Sequence, residues 1–284
     1  MAIIKTKSYY VKPSDSREWL IIGDIINHKE VDVEIKTLDY LFHCEPKEIE
    51  IDGIKVMCSR LCCYTGCYVS KEEINEAQRQ IPKISSYLQE DSIKLLKLNN
   101  FQIYNPDDYD PEENLYKIRC APAEWNFADD DEENEDDDEE MEDNKETNVD
   151  EENDEFDLPP RNHCIFLMKN GYCALHKYYL DANENWIKKK FNICSTFPLD
   201  LRPQDGTMAF MSDFNEFAFG EVECLSSDRD LKEKLNYPQI IEEMRDVIID
   251  RFGETWFGAL SQCAKDFRVG TIDLDYIYSD VDLE

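Results

Sequence analysis

Residues Met57 to Tyr68 read MCSRLCCYTGCY and place four cysteines, Cys58, Cys62, Cys63 and Cys67, within ten residues. Side chains four positions apart share a helix face or the arms of a tight turn, so 58/62 and 63/67 can each grip one ion. The adjacent Cys62 and Cys63 point in different directions, so one of them serves as a ligand and the other as its neighbour. A second set follows far along the chain: Cys164, Cys173 with His176 three positions later, and Cys194. Soft thiolates with an imidazole suit zinc or an iron–sulfur centre and do not suit magnesium or calcium. The central expectation is one metal site, built by folding the second set onto the first.

Composition narrows the setting. The chain has 284 residues, enough to bury a core, and 42% of them are hydrophobic. Its formal net charge is −33. Asp129–Asp157 carries 20 acidic residues against one lysine, which accounts for more than half of that charge. An acidic surface of this size argues against binding nucleic acid or an anionic membrane. No stretch approaches a membrane-spanning length, and the N-terminus lacks a secretory apolar run, so a soluble cytoplasmic protein is expected. In a reducing compartment, eleven cysteines point to metal or redox chemistry rather than to a disulfide framework.

The elements that must position the thiols read as α+β: a small N-terminal sheet, helices around the cysteine-rich site, and a helical C-terminal part. Segments 19–26, 31–42 and 49–57 mix β-branched residues with polar alternation and are expected as strands, with Asp52-Gly53 as a hairpin turn. Ser70 with Glu73 forms a capping box for a helix over 71–80, interrupted by Pro82. A second helix is expected within 84–98 and stops at Asn99-Asn100, and 101–127 is a mixed stretch with loop over 104–114. Asn170-Gly171 predicts a hairpin that brings Cys164 near Cys173, and 174–183 predicts a short helix. A further hairpin is expected over 205–219, and the strongest helices over 237–252 and 254–267. The tail after Gly270 has a strand-like patch. His28, His43, Cys44, Cys120 and Cys263 read as core or surface residues. Asp129–Asp157 has almost nothing to bury and reads as a disordered insertion, so residues 1–128 and 158–284 are expected to form two parts of one metal-binding domain.

The order Cys58-x3-Cys62-Cys63, then Cys164, Cys173-Ala-Leu-His176 and Cys194-x2-Phe197-Pro198-Leu199, resembles a family of zinc- or iron-chelating domains. It is also distantly similar to the cysteine region of flagellin lysine N-methylases. The likeness covers about residues 55–70 and 160–205, and its two motifs together are fairly specific. It implies chelation by Cys58, Cys62, Cys63, Cys164, Cys173 and Cys194, with Cys67 as an extra thiol. The function expected is therefore chelation of zinc or iron, with a [4Fe–4S] cluster among the forms such a centre takes. The resemblance also raises methyl transfer to protein lysines as an alternative. The chain has no GxGxxG loop, P-loop or HExxH helix to support catalysis, so whether it is an enzyme stays open. Another alternative is an interaction module, in which a zinc site is structural and the acidic insertion recruits a basic protein partner.

Overall fold

The computed structural model of the chain describes residues 3–44, 48–51, 54–57, 63, 66–122, 162–211 and 228–279. Its architecture is α+β. Strands β1 (Ile4–Lys5), β2 (Tyr9–Pro13), β3 (Trp19–Asp24) and β4 (Glu30–Glu34) form an antiparallel meander. Alternation explains them: Tyr9, Val11, Leu20, Ile22, Val31 and Val33 are buried on one face. The expected strand over 31–42 ends early, in a 3-10 turn over Ile35–Asp39. Thr37 and Leu38 are both fully buried, and successive residues of a strand cannot face the same side. The expected hairpin follows as β5 (Glu48–Ile51) and β6 (Ile54–Met57); its Asp52-Gly53 turn lies outside the described residues.

After Cys67 come β7 (Tyr68–Val69), α1 (Lys71–Ile84) and α2 (Glu90–Leu98). The Ser70–Glu73 capping box is present, and α1 runs through Pro82 to its end. Pro82 falls in the last turn, where it removes a single intrahelical bond, while Ile81 and Ile84 are held in the core. Strands β8 (Tyr104–Asp110) and β9 (Leu115–Ile118) complete a three-stranded sheet in the order β7-β9-β8. The region expected as loop is thus an edge strand. Pro106 is tolerated at an edge, and Tyr104 and Tyr109 each pack against Tyr116, at 5.2 and 4.7 Å between ring centroids.

Strand β10 (Cys120–Pro122) pairs with β11 (Asn162–Cys164), so residues on either side of the acidic segment meet in one ladder, Pro122 opposite Asn162. The Asn170-Gly171 hairpin is reduced to a single bridge, Leu167 to Cys173, and Cys164 pairs with Cys120 instead. Helix α3 (Ala174–Asp181) starts after Cys173 and carries His176, α4 (Asn192–Thr196) carries Cys194, and a hairpin of β12 (Leu199–Arg202) and β13 (Thr207–Phe210) follows. This hairpin joins the N-terminal sheet through a parallel pairing of β13 with β4, giving the order β1-β2-β3-β4-β13-β12. Residues 212–219 of the expected hairpin lie outside the described residues.

Helix α5 (Arg229–Lys234) precedes α6 (Ile240–Glu243) and α7 (Arg245–Phe252), which break at Met244, and then α8 (Glu254–Arg268). The tail patch is helical, α9 (Leu274–Ile277), because the Asp273 side chain accepts from the Tyr276 amide and starts a turn.

Among the described residues two apolar cores result. The first packs α8 on the six-stranded sheet, with Trp256, Leu260, Cys263 and Ala264 facing it. The indole of Trp256 donates to the Ile22 carbonyl at 3.0 Å. The second lies between α1, α2, α3 and the smaller sheets and includes Ile74, Ile84, Phe166 and Tyr179. Trp186 packs against both. Each core draws residues from both sides of the acidic segment, so the chain halves fold onto one another.

Candidate metal centre

The thiols are held at the margin of the second core. The Cys67 carbonyl accepts from the Ile118 amide at 2.9 Å, which docks it on β9. Gly66 precedes it with φ +71°, and a Cβ there would stand 2.3 Å from the Ile118 oxygen, so only glycine permits this approach. Six residues after Cys67, Glu73 closes the capping box: one carboxylate oxygen accepts from the Ser70 amide and hydroxyl, each at 2.9 Å. Its other oxygen accepts from the Asn192 amide at 2.7 Å. Asn192 opens α4, two residues before Cys194, so a single carboxylate ties the segment of Cys67 to the helix of Cys194.

The consequence is contact. The sulfurs of Cys67 and Cys194 stand 3.6 Å apart and share a hydrogen bond across 127 positions of sequence. On the other side of the site, Gln89 donates to the Leu167 carbonyl at 2.7 Å and Ser92 Oγ meets His163 Nε2 at 3.3 Å. These buried contacts fix the chain on both sides of Cys164, at His163 and Leu167, against the start of α2. Cys173 stands at the start of α3, half-buried like Cys63, Cys67 and Cys194, while Cys164 is buried.

The electrostatics describe one cluster. Cys67 is pushed well up, first by its hydrogen bond with Cys194, then by burial and the charges of Cys194, Cys164 and Cys63. Cys194 moves down, first through its hydrogen bond with Cys67 and then through the nearby charge of Lys190, although burial opposes the shift. Burial raises Cys63, and Cys194 and Cys173 raise it further. Burial also raises Cys164, with Cys63 and Cys120 next. Cys173 rises by burial, but Lys190 and the amides of His176 and Leu175 offset part of it without closing a capping bond. Burial alone would lower Lys190; the thiols of Cys173, Cys194 and Cys63 outweigh it and hold the ammonium charged. Five thiols in one another's field resist joint ionisation. A bound divalent cation relieves that resistance, since a coordinating thiol is deprotonated outright. By donor type, thiols are what a soft metal ion takes.

Of the expected ligands, Cys67 and Cys194 touch, and Cys63, Cys164 and Cys173 stand within electrostatic reach of them. His176 stacks its ring on Trp186, centroids 4.1 Å apart, and burial, then Lys190, lowers its pKa to about 4. Cys58 and Cys62 lie outside the described residues. Among the described residues no group of three or more His, Cys, Asp or Glu side chains is arranged to hold an ion. Cys263 is core, as expected. Sequence reasoning missed three neighbours of the cluster: Lys190, Cys44, whose charge reaches Cys63 and Lys190, and Cys120. Nothing in their local sequence marks them, because each reaches the site only through the tertiary fold. Among the described residues no helix is long and apolar enough to cross a membrane.

The chain matches no family model, no curated protein and no solved structure.

Proposed function

We propose that this protein is a metal chelator that holds a single soft divalent ion, zinc or iron, through cysteine thiolates contributed from both sides of the acidic segment. Cys67 and Cys194 form one half of the ligand set, and Cys63, Cys164 and Cys173 are the described residues nearest to supplying the rest. The observation that carries this reading is the 3.6 Å contact of the two sulfurs. Two thiolates on one tetrahedral zinc, each about 2.3 Å from it, stand about 3.8 Å apart. In a [4Fe–4S] cluster each thiolate goes to a different iron, so neighbouring ligand sulfurs are held farther apart. The described cysteines are free thiols, which suits a reducing compartment such as the cytoplasm.

The ion would lock the two thiol-bearing segments together and so stabilise the fold. The Glu73 bridge orients the pair in advance, and Lys190 offsets the negative charge of surplus thiolates. The experiment is anaerobic purification followed by elemental analysis and a visible spectrum. About one zinc or iron per chain, bound by thiolate, is expected. A brown protein with several irons and acid-labile sulfide would overturn the single-ion reading. A chain without metal, unable to bind zinc or ferrous ion with every thiol reduced, would overturn chelation altogether.

A further inference from the structure

Cys120 stands outside every motif in the sequence, yet two independent features of the fold bring it to the centre. It is directly opposite Cys164 in the antiparallel pairing of β10 with β11. Directly opposed residues project to the same face of the sheet, with their Cβ atoms about 4.5–5.5 Å apart. Its sulfur also lies 3.2 Å from the point a Cβ would occupy at Gly66, the residue before Cys67. The half-buried Cys120 thiol is thus wedged between the strand end that carries Cys164 and the turn that delivers Cys67. Rotation of the two cysteine side chains about Cα–Cβ is enough to bring opposed sulfurs to the separation of about 3.8 Å that one tetrahedral ion requires.

We propose that Cys120 is itself a metal ligand, paired with Cys164 across the β10–β11 ladder. The proposal rests on the chelating function above and adds a ligand to it. It also gives the ladder a purpose: the strand before the acidic segment and the strand after it each bring one sulfur. The surplus of thiols over the four that one ion takes then becomes a choice of partners around Cys164.

The test uses the full-length chain, reduced and stripped of metal, with cadmium and cobalt ions as probes. Alkylation by iodoacetamide is followed at each cysteine by mass spectrometry, with and without cadmium. The expected result is that cadmium slows alkylation of Cys120 by about tenfold or more, together with Cys67, Cys164 and Cys194, because a metal-bound thiolate loses its nucleophilicity. Fully buried Cys263 serves as the control and reacts slowly in both states. In the cobalt form, Cys120→Ser is expected to lose about a quarter of the thiolate charge-transfer intensity if four thiolates hold the ion. Protection of Cys67 and Cys194 with no change at Cys120 would overturn this proposal and leave chelation standing. No protection at any of these cysteines would overturn both. Should Cys120→Ser fail to fold, the alkylation of the natural chain decides alone.

Discussion

Removing Asp129–Asp157 tests how the chain is organised. The ladder places Pro122 opposite Asn162, so residues 123–161 form a 39-residue closure between two fixed ends. Deleting the 29 residues 129–157 leaves ten, 123–128 and 158–161. The closure then shortens by a factor of about four, which is two halvings. Each halving of a flexible loop recovers about 0.6 kcal/mol of closure entropy, about 1.2 kcal/mol in all. The deletion also removes more than half of the −33 formal charge, which relieves self-repulsion in the folded state and adds to the gain at low salt. Urea denaturation is the assay. The midpoint should rise by roughly 0.5 M, taking a slope near 2–3 kcal/mol/M, and metal stoichiometry should not change. A midpoint that falls would show that the acidic segment packs on the fold, and the free-loop reading of its composition would then be wrong.

Three further expectations follow from the site and the sheet. Glu73→Ala removes acceptors for Ser70 and Asn192, so stability should drop by about 2 kcal/mol, and zinc affinity should fall although no thiol is touched; Glu73→Gln should retain part of both, read by urea unfolding and competitive chelator titration. Gly66→Ala forces a side chain into a φ +71° position and against the Ile118 oxygen; a loss of at least 1–3 kcal/mol and weakened metal binding are expected, and wild-type affinity would refute the link from Gly66 to Cys67. Asp32 accepts from the Ser14 hydroxyl at 2.8 Å, but its second oxygen is buried without a hydrogen-bond partner. Burial raises its pKa above the ordinary 3.8, against the lowering effect of Ser14. The folded carboxyl therefore holds its proton more tightly than the unfolded one, and this group's contribution to stability is lost as pH rises from 3.8 through its folded value. Asp32→Ala should flatten that decline when unfolding free energy is followed from pH 3.5 to 7; an identical slope in the variant would refute the assignment.

Several elements were legible in the chain because their signals are local. The alternation of Leu20, Ile22, Val31 and Val33 defines strands without knowledge of their neighbours, and the Ser70–Glu73 spacing defines a helix start. The apolar spacing of Trp256, Leu260 and Cys263 defines the face that α8 buries. Where local and distant demands conflict, the sequence reading failed. Leu38 and Thr37 are consecutive and both buried, so packing turned an expected strand into a 3-10 turn. The polar run at 104–110 became an edge strand because Tyr116 offered its rings a surface.

The thiol chemistry itself is a property of composition and spacing: cysteines this dense are the donors that the proposed soft-metal centre draws on. Which sulfurs meet is not. Cys67 finds Cys194, and Cys120 faces Cys164, through backbone pairing and one bridging carboxylate between segments far apart in the chain. Local periodicity carries no information about such contacts, because they are chosen by how two apolar cores close on each other.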